Sequence, residues 1–257
     1  MPNKNAWTRD QLLVAFGLYC QIPFGKLHKG NPEIIKFAKL IGRTPDALAM
    51  KLSNIASLDP VITGSGRHGL KSASSADKAM WDEMQSNWEQ FSILSEKTLN
   101  SFKPIDQQET LLLDNVDEND DFSSDSKTIV AKRRVGQDIF RKYVLSAYES
   151  TCCVTGLAVP ELLVAGHIVP WSKDSLNRLN PSNGLCLSRL HEKAFDEGYF
   201  TIQSDMTVCV SKAYACEEDQ FYFDSIGKFH GHKITLPNKF VPRDEFLEYH
   251  RKEVFKT

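Results

Sequence analysis

The chain has 257 residues, 41% of them hydrophobic and 25% charged, with a formal charge of −2. That is enough chain to bury one sizeable core or two modest ones. No apolar run reaches the roughly 18 residues of a membrane span, and MPNKNAWTRD lacks the charged-then-apolar order of a secretory leader, so a cytoplasmic protein that does not engage membranes is expected. Six cysteines, at positions 20, 152, 153, 186, 209 and 216, form no C-x-x-C pair, which points to free thiols rather than a disulfide scaffold or a structural zinc site.

In chain order the text begins helical. Thr8 is placed to cap DQLLVAFGLYC, and Pro32 to open PEIIKFAKLIG at its first turn. After Gly42, Thr44 and Pro45 start a helix that carries Leu48, Leu52 and Ile55 on one face. Two helices joined at a glycine fit either a helix-turn-helix or plain helical packing. In the first case Arg43, Met50, Ser53 and Asn54 line the open face of a recognition helix, and Arg67, His68 and Lys71 of the loop GSGRHGLK lie near phosphate.

Residues 104–126 hold eight acidic residues and no Lys or Arg, leaving 31 basic against 25 acidic residues elsewhere. So acidic and apolar-poor a stretch reads as a linker. The expected division is therefore a helical domain over 1–103, the acidic linker over 104–126, and a second domain over 127–257. The second opens with the amphipathic helix RRVGQDIFRKYVLSAYEST, with Ile139, Phe140, Tyr143, Val144 and Ala147 inward and Gln137, Arg141 and Lys142 on or near the outer face. A turn at CCVTG follows. LLVAGHIVPW then reads as a strand, NGLCLS as its return strand after a polar loop, and RLHEKAFDEG as a helix ended by Gly198. Val154, Leu163, Ile168, Leu185, Leu187, Phe195 and Phe200 should form a small core around this hairpin. TVCVS, FYFDSIG and HKITLP read as short strands or loops, and PRDEFLEYHRKEVF as a closing helix.

No nucleophile elbow, P-loop or dinucleotide fingerprint occurs, which removes those enzyme classes. What remains is GHIVPW, then Asn183 sixteen residues after His167, then His191 eight further on in L-H-x-x-x-F-D. This spacing resembles the HNH, or ββα-metal, endonucleases. The likeness covers residues 133–202, and GQDIFRKYVLSAY, CCVTG and the N-terminal WTRDQLLVAF, NIASLDP and GRHGL are similar to the restriction-type branch with a preceding helical domain. The implied architecture is α+β.

The resemblance implies a general base at His167, an asparagine at Asn183 that orients the base-bearing strand or reaches a metal, and a metal ligand at His191. It also implies Mg²⁺ or another divalent cation such as Mn²⁺ or Ni²⁺. Two common ligand positions are changed, since Gly166 precedes the base and Phe195 follows His191 by four residues. Asp196 is the nearest carboxylate; five helical residues set it about 140° from His191, so it either joins the ion through a local distortion or orients His191. Asp174 is a further, more distant carboxylate. Arg178 and Arg189 flank the site, where they would contact phosphate together with Gln137 and Arg141. The implied function is a metal-dependent endonuclease on double-stranded DNA in restriction or anti-phage defence. With one site per chain, a double-strand break requires a homodimer or two successive cuts. The alternatives are a DNA-binding regulator with a degenerate HNH domain and an RNA-cleaving, toxin-like nuclease.

Overall fold

The computed structural model describes residues 6–64, 72–105, 108, 125–213 and 219–256, the side chains of 125–132 excepted. Arg67, His68, Lys71, Cys216 and most of the acidic 104–126 segment lie outside these. Two compact units divide the chain, Met1–Lys142 and Tyr143–Thr257. The division falls inside a helix rather than in the acidic segment.

The first unit is helical: α1 (Arg9–Gln21), α2 (Pro32–Leu40), α3 (Pro45–Ala56), α4 (Pro60–Gly64), α5 (Ser75–Ser86), α6 (Trp88–Ser101) and the greater part of α7 (Asp125–Ala147). Thr8 caps α1 through a reciprocal box with Gln11, Asn31 caps α2 ahead of Pro32, and Thr44 caps α3 ahead of Pro45. Each cap satisfies amide groups that a helix start otherwise leaves open. Nine successive residues of α1, Leu12 to Cys20, are buried, which makes it the central helix, packed by α3 and α6. Gly17 permits the closest of these approaches. A Cβ there would fall 2.3 Å from Ser95 Oγ and 2.8 Å from Leu99 Cδ1, while Ser95 Oγ donates to the Leu13 carbonyl at 2.9 Å.

The second unit is built on an antiparallel hairpin of β1 (Leu163–His167) and β2 (Gly184–Ser188), in the register Leu163 to Ser188 and His167 to Gly184. Helix α8 (Arg189–Asp196) packs on both strands. A second pair, β3 (Phe200–Ile202) and β4 (Val208–Val210), follows, then α9 (Gln220–Ser225) and α10 (Asp244–Glu253). The whole is α+β. Leu163, Ile168, Leu185, Leu187, Phe195 and Phe200 are all buried, and Val154 is half-buried. The apolar cluster around the hairpin thus forms where the strand alternation sets it.

Two expectations change. The strand expected over LLVAGHIVPW stops at His167, because the backbone of Val169 bonds to a side chain instead of to β2. FYFDSIG is a helix rather than a strand or loop; the Asp219 side chain accepts from the Tyr222 amide and starts α9. Cys20, Cys152, Cys153, Cys186 and Cys209 are thiols that take part in no disulfide, and no helix among the described residues is long and apolar enough to cross a membrane.

Gly17→Ala is expected to destabilise the first unit by about 1–3 kcal/mol, the ordinary cost of overpacking. A lowered thermal unfolding midpoint, with Gly25→Ala as a control where a Cβ meets nothing within 4 Å, checks this.

Candidate active site

His167 ends β1, and its ring is held from two sides. Nε2 lies 2.9 Å from the Arg178 carbonyl, which can only accept, so Nε2 carries the proton and Nδ1 is left with the basic lone pair. The edge-on ring of Trp171 stands 5.5 Å away at 86°. Burial pushes the His167 pKa down from 6.5 to about 4, against an opposing effect of the carbonyl. The imidazole is therefore neutral at physiological pH, the state a general base requires.

Asn183 closes a short 3₁₀ turn, Pro181–Asn183, directly before β2. Its Oδ1 accepts from the Val169 amide at 2.8 Å, and its Nδ2 donates to the Val169 carbonyl at 3.2 Å. Nδ2 also reaches the Asn177 carbonyl at 3.4 Å, and the Asn183 carbonyl accepts from Ile168 at 2.9 Å. The side chain is 1% exposed. With both ends of the amide spent on the chain two residues beyond His167, Asn183 holds that segment in place. Asp174 is likewise engaged: its carboxylate accepts from the Asn177 amide and side chain at 3.2 and 2.8 Å.

The His191 ring is turned into the core. In the first turn of α8 its Nδ1 sits 2.8 Å from Ser188 Oγ, the residue that caps the helix. Phe229 and Phe200 pack edge-on at 5.5 and 6.2 Å, and the side chain is 5% exposed. Nε2 is buried beside the backbone of Ser225, close enough to favour a proton on the ring but without a well-formed hydrogen bond. Burial, with Lys228 adding to it, lowers its pKa. The sequence expectation of a ligand at His191 thus meets a ring enclosed between α8, β3 and the segment after α9.

The residue that sequence reading missed is Glu192. One position along α8 turns its side chain about 100° from His191, onto β1. A Cβ at Gly166 would lie 3.3 Å from Glu192 Cγ, so the glycine that offers no ligand leaves the space the glutamate occupies. One helical turn on is Asp196, at the i, i+4 spacing that sets both on one face. Asp196 reaches the surface, yet desolvation, with the Glu192 charge next, pushes its carboxyl up to about 6. Neither carboxylate accepts a hydrogen bond from a described residue. Among the described residues no group of three or more His, Cys, Asp or Glu side chains could hold an ion. Two carboxylates completed by water and phosphate oxygens are nonetheless a fitting donor set for a hard divalent cation such as Mg²⁺. The signal in the sequence was the E-x-x-x-D spacing within HEKAFD.

Of the residues expected to meet nucleic acid, Arg189 and Gln137 are exposed and Arg141 is half-buried. Arg178 turns its Nε to the Trp171 carbonyl at 2.8 Å. Arg43 binds Gln11 Oε1 through Nε and Nη2 and the Ala6 carbonyl through Nη2, and lies over the Trp7 ring at 4.8 Å, so it serves helix packing. Asn54 is half-buried with its Oδ1 inside. The exposed residues on α3 are Asp46 and Met50, whereas its one lysine, Lys51, is buried in an ion pair with Asp77 at 2.8 Å.

Compared with models of known families, residues 152–203 match that described as HNH endonuclease. No curated protein matches the chain.

Two outcomes follow from this geometry. Asn183→Ala would leave the buried amide and carbonyl of Val169 without partners, so a loss of about 1–3 kcal/mol is expected in denaturant unfolding of the second unit. Stability should also fall as the pH drops from 6.5 to 4. Over that range His167 and His250, each depressed to about 4, take up protons in the unfolded chain but not in the folded one. Asp196, raised to about 6, works the other way; it is one group against two, and partly screened by solvent. Thermal midpoints across this interval check the sign, and resolved imidazole titrations check the two values.

Proposed function

From a chain whose residues 152–203 belong to the HNH endonuclease family, we propose a DNA endonuclease that depends on a divalent cation and serves restriction or anti-phage defence. The observation that carries the reading is the state of His167: neutral, with Nε2–H held by the Arg178 carbonyl, so that Nδ1 is the basic nitrogen of the ring. Asn183 keeps the segment beyond the base in place through Val169. Glu192 and Asp196 are the residues that would hold the cation, beside Gly166, and His191 braces the start of α8 from within the core. When bound, a divalent ion supplies positive charge for the phosphoryl oxygens and polarises a bound water.

Arg189, exposed at the start of α8, and Gln137 and Arg141 on α7 are assigned to the DNA backbone, as are Arg67 and Lys71 of the helical unit. One base per chain cuts one strand, so a double-strand break implies a homodimer or successive events. The rival is a DNA-binding regulator with an inert HNH domain. It draws on the lack of a three-residue ligand group among the described residues.

Supercoiled plasmid incubated with Mg²⁺, Mn²⁺, Ni²⁺ or Zn²⁺ separates the two, with tRNA as a parallel substrate. Cleavage by the wild type is expected with Mg²⁺ or Mn²⁺, and His167→Ala should lower the rate by about 10²–10⁴-fold. Glu192→Gln and Asp196→Asn should each raise the ion concentration needed for half-maximal cleavage. His191→Asn should lower the melting temperature while leaving that concentration unchanged. Wild type and His167→Ala equally inert with all four ions would favour the regulator.

A further inference from the structure

The loop between β1 and β2 returns to the base by a route that the HNH assignment does not supply. The Arg178 carbonyl, eleven residues from His167, accepts the Nε2 proton at 2.9 Å. The same residue sends its side chain back: Nε donates to the Trp171 carbonyl at 2.8 Å, and the guanidinium lies over the Trp171 ring with Cζ 5.6 Å from the centroid. Trp171 in turn presents its ring edge-on to the His167 imidazole at 5.5 Å. These contacts form a closed triangle of three residues, two of them holding the third.

The remainder of the loop is tied to the same frame. Asp174 accepts from Asn177, Asn177 Oδ1 accepts from Asn180 at 2.9 Å, and Asn180 Oδ1 accepts from the Ser182 amide at 3.0 Å. This chain of side chains runs from the tryptophan turn to the turn that carries Asn183. An arginine suits the closing position because its planar guanidinium can donate along Nε while stacking on an aromatic face. A lysine has the charge but neither the Nε donor nor the planar surface.

We propose that Arg178 and Trp171 are positioning residues for the base: the Arg178 side chain, closed on Trp171, sets the carbonyl that fixes His167 with Nε2 protonated and so holds its ring in one orientation and tautomer. The proposal rests on the reading of His167 as the general base. It replaces a phosphate-clamping role for Arg178 with one exerted through its own carbonyl.

The test uses the full-length, metal-free protein and two variants, Arg178→Ala and Arg178→Lys. In ¹⁵N-resolved NMR the wild type should show a slowly exchanging His167 Nε2–H proton, and both variants should lose it while keeping the remaining dispersed spectrum. In plasmid cleavage both should lose about 10–100-fold in kcat, the scale of a displaced reacting group, with KM changed less than twofold. A phosphate clamp predicts the opposite: KM rises, kcat holds, and lysine restores most of the activity. Retention of the Nε2–H signal in Arg178→Ala, or recovery by Arg178→Lys, overturns the proposal. If Arg178→Ala does not fold, Arg178→Lys carries the same two readouts. Should the wild type fail to cleave while the variants still lose the Nε2–H signal, the nuclease reading fails and the positioning role stands.

Discussion

The second unit depends on one buried amide. Asn183 spends Oδ1 and Nδ2 on the amide and carbonyl of Val169, doing with a side chain what a neighbouring strand would do with its backbone. Because both partners are buried, leaving them unmatched would carry the full cost of desolvated polar groups. The substitution also explains where β1 ends. Two residues past His167 the chain is released from the sheet and held by the start of the return strand, so the histidine stands at the hairpin's open end.

Around that amide the site is layered from outside inwards. Helix α8 covers the hairpin and stops at Gly198, whose φ of +76° and close approach to the Val254 carbonyl both demand a glycine. His250 of α10 then fastens the end of α8: it stacks on Phe195 at 3.6 Å, donates to the Phe195 carbonyl and meets Thr201 Oγ1, both at 2.9 Å. The helix that carries Glu192 and Asp196 is thus fixed at its start by Ser188 and His191 and at its end by Gly198 and His250. A rigid helix under a rigid hairpin is what a site needs when its groups must be within a fraction of an ångström of their working positions.

Much of this was legible in the sequence. The placement of His167 at a strand end and of Asn183 just before the return strand was, because spacing along a hairpin maps directly onto position. The three helix starts at Thr8, Pro32 and Thr44 were equally readable from capping and first-turn chemistry. The direction of the His191 ring was not, since on a helix one residue of phase is 100°, and the phase of α8 is set by the Ser188 cap. That cap turns position 191 inward against Phe200 and Phe229 and position 192 toward Gly166. Arg43 misled for a related reason: its exposure was inferred from helix periodicity, whereas Trp7 and Gln11 of a different element take up its guanidinium. FYFDSIG has the aromatic content of a strand and becomes a helix because Asp219, just outside it, supplies a cap.

A consistent picture of the chemistry emerges from where charge has been removed and where it has been kept. The three imidazoles around α8 and the hairpin, His167, His191 and His250, are all depressed by burial and all held by neutral partners. On the α8 face toward Gly166, burial first and the neighbouring Glu192 charge second instead raise the Asp196 carboxyl to about 6. Two like charges kept together without a hydrogen-bond donor among the described residues cost free energy that a cation would return. In the proposed nuclease, neutral nitrogen on the strand and paired oxygen on the helix would divide proton transfer and cation binding between the two sides of one small ββα unit. The glycine at 166 is the contact at which they meet.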